Sequence, residues 1–146
     1  MLEKCCKKYG EYSTLFVRLA VGIVFLVHGV GKLFGVGPVP FPVSNFTGML
    51  ANLGVPAPMA MAWAVSLLEA VGGLLVLVGL FTRYAAALHA INRAAAILLV
   101  HLSKGFSAMN GGYEFPLVLL LVSLALVASG SGEKLVLERL LFKKEL

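Results

Sequence analysis

The sequence predicts an all-α integral membrane protein, a four-helix bundle with an outer interfacial segment between its first and second spans. Of the 146 residues, 60% are hydrophobic and only 13% are charged, and the mean hydropathy is +0.94. This composition lies outside the range of soluble globular domains. Four apolar stretches also approach the ~20 residues that a helix needs to cross ~30 Å of hydrocarbon. They cover residues 12–34, 58–81, 84–102 and 115–129.

The distribution of basic residues predicts the orientation of this single domain, residues 1–146. Lysines and arginines concentrate on one side of a four-span topology: Lys4, Lys7, Lys8, Arg83, Lys134, Arg139, Lys143 and Lys144. Only Lys32 and Lys104 fall near the other side. Because basic residues near span ends stay in the cytoplasm, we expect cytoplasmic tails at residues 1–11 and 130–146 and a location in the plasma membrane.

The same distribution suggests which partners the chain has. Its net charge of +5 would face anionic lipid, so the lipid bilayer, and no nucleic acid, is the expected partner of the basic residues. Cys5 and Cys6 would lie in a reducing compartment, where we expect two free thiols rather than a disulfide.

Residues 35–57 connect the first two spans and cannot cross the membrane, because four prolines interrupt them. After Ser44, a candidate N-cap, apolar residues recur at i, i+3, i+4 and i+7: Phe46, Met49, Leu50 and Leu53. The spacing predicts a short helix in the outer interface. It either caps the bundle or serves only as an anchor there.

Two charged residues, Glu69 and Arg93, lie near the middle of apolar runs. A charge at that depth costs ~2.5–3.5 kcal/mol on insertion scales, so each side chain should face the protein interior and find a partner. We predict that the two form a buried ion pair. A purely structural role for the pair is an equally open interpretation.

The third span carries His89, Arg93 and His101 on one helical stripe, at four-residue spacing through Ile97. If the helices pack in chain order, the outer end of this stripe meets the outer end of the first span. The predicted ligand-binding residues are therefore His28, Lys32, Glu69, His101 and Glu114. His89, nearer the opposite end, is expected to be structural.

Other interpretations of these residues stay open. Either His28 or His101 could bond only to a carbonyl of a neighbouring helix. Lys32 and Lys104 could extend to the lipid headgroups instead of facing a pocket.

Histidines and a carboxylate in the outer half of the membrane suit a quinone. They can bind its oxygens and exchange its protons while apolar walls hold its ring and tail. Haem between His28 and His101 is a second option that needs a haem-sized gap between their helices. No metal site is predicted, because His28, His101 and Glu114 include no ligand pair at i, i+3 or i, i+4. Phosphate-loop, dinucleotide and nucleophile-elbow patterns are absent from the sequence.

Several short strings stand in a distinctive order along the chain. They are Arg18-Leu-Ala-Val-Gly22, His28-Gly-Val-Gly-Lys32, Glu69, Thr82-Arg83, His101-Leu-Ser-Lys104-Gly105-Phe106 and Asn110-Gly-Gly-Tyr-Glu114. In these strings the sequence resembles the DoxX family of small four-span membrane proteins, over most of its length. The resemblance implies a DoxX-like bundle in which the five predicted ligand-binding residues match recurring polar positions. It also implies association with quinone-linked membrane oxidoreductases or a chaperone-like role.

The sequence departs from the family pattern at two places. Arg93 stands where the pattern prefers an apolar residue, which would make its pairing with Glu69 a peculiarity of this chain. After Gly130-Ser-Gly132, where the family often carries a serine and an acid, Lys134-Leu-Val-Leu-Glu138 follows. We expect the segment from Glu133 onward to lie on the inner leaflet.

These observations favour a membrane-embedded subunit of a quinone-linked oxidoreductase system. Since no cofactor motif supplies electrons, we expect a membrane or soluble redox partner protein with flavin, haem or thiol chemistry. A homodimer is compatible with the sequence. The first alternative is a non-catalytic scaffold or chaperone for partner subunits. The second is a small oligomeric transporter or proton path, although no inverted repeat is visible.

Overall fold

Helices form all the regular structure in residues 12–142, the part of the chain that the computed structural model describes. They are α1 (Ser13–Phe34), α2 (Val43–Asn52), α3 (Pro58–Val78), α4 (Thr82–Lys104), α5 (Glu114–Ser129) and α6 (Leu137–Phe142). The predicted thiols Cys5 and Cys6 lie outside the described residues.

The predicted all-α membrane fold is confirmed, and three helices have the length and hydropathy of membrane spans. α1, α3 and α4 contain 22, 21 and 23 residues. α5 is as apolar but contains only 16 residues, or ~24 Å at the α-helical rise, which is shorter than ~30 Å of hydrocarbon. A full crossing by this fourth helix therefore stays a prediction.

The helices pack as two pairs, α1 along α3 and α4 along α5. All four meet at one end in a core that includes Val21, Phe25, Val76, Ala86 and Leu126. We call this the arginine end, for the two arginines described below. At the opposite end, the α2 end, a second apolar cluster joins α2 to the first half of α3.

Glycines allow α1 and α3 to approach until their backbones touch. A Cβ added to Gly29 would lie 2.2 Å from the amide nitrogen of Ala70, and one added to Gly73 would lie 2.6 Å from that of Leu26. Only glycine fits at such distances, as in other close helix pairs within membranes. The approach brings Lys32, one turn beyond Gly29, next to α3.

Arg18 ties the arginine end together. Its guanidinium, fully buried, donates to the last carbonyls of α3, from Nε to Val76 O at 3.0 Å and from Nη2 to Leu77 O at 2.8 Å. It also donates to three carbonyls in the segment after α5: Ser131, Lys134 and Leu135. All five N–H groups of the arginine therefore have an acceptor, and its charge faces the negative end of the α3 dipole.

The surroundings of Arg18 are shaped to hold it. Gly79 ends α3 in the left-handed conformation (φ 70°), and a Cβ there would lie 2.7 Å from Arg18 Cζ. Leu135 is also left-handed (φ 51°), a strained conformation for a side chain of its size. The bond from Arg18 to the carbonyl of Leu135 helps to hold this turn.

α2 forms in the loop where the sequence predicts a short helix, but its start differs from the prediction. Ser44 is wrong as the N-cap, because the helix begins at Val43 and Pro42 occupies the capping position. Phe46 and Leu50 are buried against α3, so α2 is packed onto the bundle at the α2 end. Of the two predicted roles, this packing agrees with that of a cap.

We expect Arg18→Met to lower the free energy of unfolding by about 3 kcal/mol or more, because it leaves five carbonyls without a charged donor. The matched control is Arg83→Met. Arg83 is exposed and donates to two carbonyls at the end of α5, Val127 O at 3.0 Å and Ala128 O at 3.2 Å. Its loss should cost less than about 1 kcal/mol.

Both variants are compared by dodecyl sulfate titration of the detergent-purified protein, followed by circular dichroism. Equal losses for the two arginines would contradict a special role for Arg18.

Candidate functional site

The carboxylate of Glu69 is the centre of a polar cluster inside the bundle. It lies within a π-helical turn of α3, Leu68–Gly72, and is fully buried. Lys32 of α1 donates from Nζ to one carboxylate oxygen, Oε2. Arg93 and Asn92 of α4 donate to the other, Oε1, at 2.7 and 3.3 Å. We call these four residues the Glu69 cluster.

The cluster draws on three helices, and local backbone structure contributes to its geometry. A π turn widens the helix by one residue and changes the direction of the side chains that follow, which is why such turns recur at functional sites. α4 carries a second π turn, Ile97–His101, nearer the α2 end. Neither turn has a signature that the sequence analysis could read.

Aromatic rings hold the two cations in place. The ring of Phe46 in α2 lies 4.5 Å from Lys32 Nζ, and that of Phe25 in α1 lies 5.1 Å from Arg93 Cζ. The imidazole ring of His89 also stacks on the ring of Phe25, with centroids 3.8 Å apart and planes 13° from parallel. The two cation–π contacts help to fix the positions of the basic side chains.

A cavity of about 620 Å³ lies beside the cluster, between α2, α3 and α4. Most of its wall is apolar, from residues such as Phe41, Met49, Leu50, Val65, Leu68 and Leu99. Its polar lining consists of Lys32, Asn92, Arg93, His101 and Lys104. Glu69 lies outside this lining, so the cavity meets the cations of the cluster and not its carboxylate.

The cavity opens on the side of the bundle between α3 and α4. Ile91 and Leu99 line it and yet are 67% and 51% exposed. The exposed part of the cavity wall is therefore apolar, as on a surface that contacts lipid.

The structure places the predicted site residues in two groups. Lys32, Glu69 and Arg93 come together, and Lys32 and His101 line the same cavity. Lys32 is only 10% exposed and points to Glu69, so its interpretation as a lysine extending to headgroups is wrong. His28 and Glu114 lie outside the cavity lining.

His28 and Glu114, the two residues outside the cavity lining, each form a hydrogen bond to a backbone atom nearby in the sequence. His28 Nδ1 is 2.8 Å from Val24 O in the preceding turn of α1. Glu114 is exposed, and its Oε2 accepts from Ala108 N at 3.0 Å in the loop before α5. His28 and His101 therefore do not face a shared cavity.

His101 combines a structural bond with a place in the cavity wall. Its Nδ1 lies 2.7 Å from Gly111 O. Since a carbonyl can only accept, Nδ1 is the donor, and Nε2 of the neutral ring carries the lone pair. His101 can thus accept a proton at the cavity.

Sequence reasoning missed several contributors to the site. Phe25 and Phe46 had no assigned role in the site, because nothing in the sequence indicates that a cation lies over the face of an aromatic ring. Asn92 was not among the predicted site residues, yet its amide bonds to Glu69. Among residues 12–142, no three His, Cys, Asp or Glu side chains are grouped as metal ligands would be.

The family model DoxX matches residues 13–102, which run from the start of α1 into the last turn of α4. The chain belongs to the DoxX family. The match includes the whole Glu69 cluster and His101, so the candidate site lies in the part of the chain that defines the family.

The chain is also similar, over most of its length, to proteins from three bacteria. A Bacillus subtilis (strain 168) protein named "Putative oxidoreductase CatD" is 36% identical over 125 residues, 85% of this chain and 84% of the relative. An uncharacterized protein of Haemophilus influenzae is 36% identical over 142 residues, 94% of this chain and 97% of the relative. An uncharacterized membrane protein of Mycobacterium tuberculosis is 33% identical over 133 residues, 84% and 78% of the two chains. No solved structure matches the chain.

The charge balance of the cluster predicts an order of stability among variants. Glu69→Gln leaves two buried cations without a counter-charge and should cost about 3–5 kcal/mol of unfolding free energy. Arg93→Met should cost less, because Lys32 and Glu69 still form a neutral pair. In the double variant only one buried cation lacks a counter-charge. Its loss of unfolding free energy should therefore be smaller than the sum of the two single losses, by about 1–3 kcal/mol.

The three variants and the wild type are compared by dodecyl sulfate titration in one detergent. Glu114→Gln, at an exposed carboxylate that bonds only to backbone in the described residues, is the matched control. Additive losses for Glu69 and Arg93 would show that the two side chains do not depend on each other.

Proposed function

We propose that this DoxX-family protein is the quinone-binding membrane subunit of an oxidoreductase system. The observation that carries the proposal is the apolar cavity with Lys32 and Arg93 at its polar end. Its volume of about 620 Å³ lies within the ~300–1,000 Å³ typical of small-molecule sites.

The shape of the cavity fits a quinone in particular. Apolar side chains of α2, α3 and α4 would pack on the ring, and the lateral opening would let a hydrocarbon tail remain in the bilayer. A water-soluble substrate would need an aqueous entrance instead.

The polar end offers donors, which is what the carbonyl oxygens of a quinone require. Lys32 has three N–H groups and donates one to Glu69. Arg93 binds Glu69 through Nη2, and its buried Nε has no hydrogen-bond partner among residues 12–142. A bound carbonyl oxygen would give these groups an acceptor.

The residues present can also take part in proton exchange. Reduction of a quinone to a quinol takes up two electrons and two protons. Lys32 can donate one of these protons from its ammonium group, and the second can pass through Nε2 of His101, which would accept it from water and deliver it to the quinone oxygen. The electrons would come from a partner protein that carries flavin, haem or thiol chemistry.

One relative supports the redox assignment to the extent of its name, which describes CatD of Bacillus subtilis as an oxidoreductase. We also propose that the protein lies in the plasma membrane with its arginine end toward the cytoplasm. Arg83 and Lys134 lie at that end, in agreement with the positive-inside rule.

We expect the wild-type protein in dodecyl maltoside to bind one 2-methyl-3-prenyl-1,4-naphthoquinone per chain, measured by equilibrium dialysis and quinone absorbance. Lys32→Met and Arg93→Met should each weaken binding by about tenfold or more, because each removes a charged donor from the polar end. Both variants keep a balanced ion pair with Glu69 and should stay folded.

His28→Ala is the matched control for this experiment. His28 lies near the same end of α1 as Lys32 but outside the cavity lining, so its removal should leave the quinone affinity unchanged. Wild-type protein that binds no quinone would overturn the proposal. If Lys32→Met and Arg93→Met then reduced the recovery of co-purifying membrane proteins, the scaffold alternative would replace it.

A further inference from the structure

The charges around the cavity do not balance. The Glu69 cluster contains two cations, Lys32 and Arg93, but one carboxylate, so its formal charge is +1. Lys104 adds a further positive charge to the cavity lining. The other acidic residues of the described chain lie elsewhere: Glu114 bonds to Ala108 N in its loop, and Glu133 and Glu138 follow α5 at the arginine end.

The excess charge is on the side of the cluster that a ligand would meet. Lys32 and Arg93 both line the cavity, whereas Glu69 lies behind them. Their side chains are 10% and 15% exposed, so water and salt screen them only weakly. The rings of Phe46 and Phe25 hold them in position before any ligand arrives.

We propose that the cavity selects a ligand whose polar end carries one negative charge, so that among quinones it prefers an ionised hydroxyquinone to a neutral quinone of the same shape. This inference rests on the proposed function and specifies its substrate class. The anion would complete a set of two cations and two anions, since an uncompensated buried charge is costly. The ionised oxygen would accept from Lys32 Nζ and from the guanidinium of Arg93, the two cations that line the cavity.

The test uses two probes that differ in one methyl group and carry the same alkyl tail. A 3-alkyl-2-hydroxy-1,4-naphthoquinone is ionised at neutral pH, and its 2-methoxy analogue is neutral. Equilibrium dialysis in dodecyl maltoside should show that the wild-type protein binds the hydroxyquinone tighter by about tenfold or more.

Arg93→Met should bring the ratio of the two affinities close to one, because its cluster is neutral: binding of the methoxy analogue should weaken by about tenfold, as for the neutral quinone above, and binding of the hydroxyquinone by about a hundredfold. Arg83→Met is the matched control. Arg83 is exposed and lies at the arginine end, outside the cavity lining, so its removal should change the ratio little. High salt should also leave the wild-type ratio nearly unchanged, since the selecting charges are buried.

The outcomes separate this inference from the function on which it rests. Equal affinities for the two probes in the wild type would overturn the preference for an anion and leave the quinone site standing. Binding of neither probe would overturn both proposals. If a fatty carboxylate with the same tail displaced the hydroxyquinone at equal concentration, the site would recognise anionic amphiphiles in general, and the quinone assignment would fall.

Discussion

The carboxylate of Glu69 is the contact on which the middle of this bundle depends. It joins α1, α3 and α4 through Lys32, Arg93 and Asn92. An ionised carboxylate in this apolar interior would be unstable alone, and so would either cation. Each helix that carries one of these groups is therefore held to the others, and the backbone contact at Gly29 sets the distance between α1 and α3 that the pairing with Lys32 requires.

The two ends of the bundle have different roles. The arginine end stabilises the fold, and the α2 end contains the cavity. At the arginine end, the four long helices share one core, and the five bonds of Arg18 close the end of α3 and the segment after α5. At the α2 end, the first half of α3 and the last turns of α4 separate, and α2 packs over the gap. A cavity can exist there because the opposite end already fixes the arrangement of the helices. Such a division is common where a binding site would otherwise weaken the fold.

The sequence predicted the features that follow from the hydrocarbon environment of a membrane. Long apolar runs gave the helices, and the cost of a charge in hydrocarbon indicated that Glu69 and Arg93 face inward, as the structure has them. The short helix after the first span followed from its apolar period, although Ser44 was a misleading start signal because Pro42 already fixes the backbone there. These conclusions need only the local sequence and the properties of the membrane.

Features that depend on which helices are neighbours could not be predicted in the same way. The period of a helix places His28 and Lys32 near one another, but only the packing decides that Lys32 faces α3 while His28 bonds to its own helix. The acceptors of Arg18 are backbone carbonyls, which every residue has, so no sequence pattern marks them. The π turns that contain Glu69 and His101 likewise leave no pattern in residue type.

The unequal number of charges in the Glu69 cluster is the strongest argument that it is more than a structural support. A structural ion pair needs one cation for one carboxylate, and a second buried cation only adds a desolvation cost. Asn92 already satisfies part of the capacity of Glu69 to accept hydrogen bonds, so Arg93 is not required for that purpose either. Both cations line the cavity, and the carboxylate does not. A ligand with acceptor oxygens in the cavity would offset the desolvation cost of the second cation, which explains why the cluster contains it.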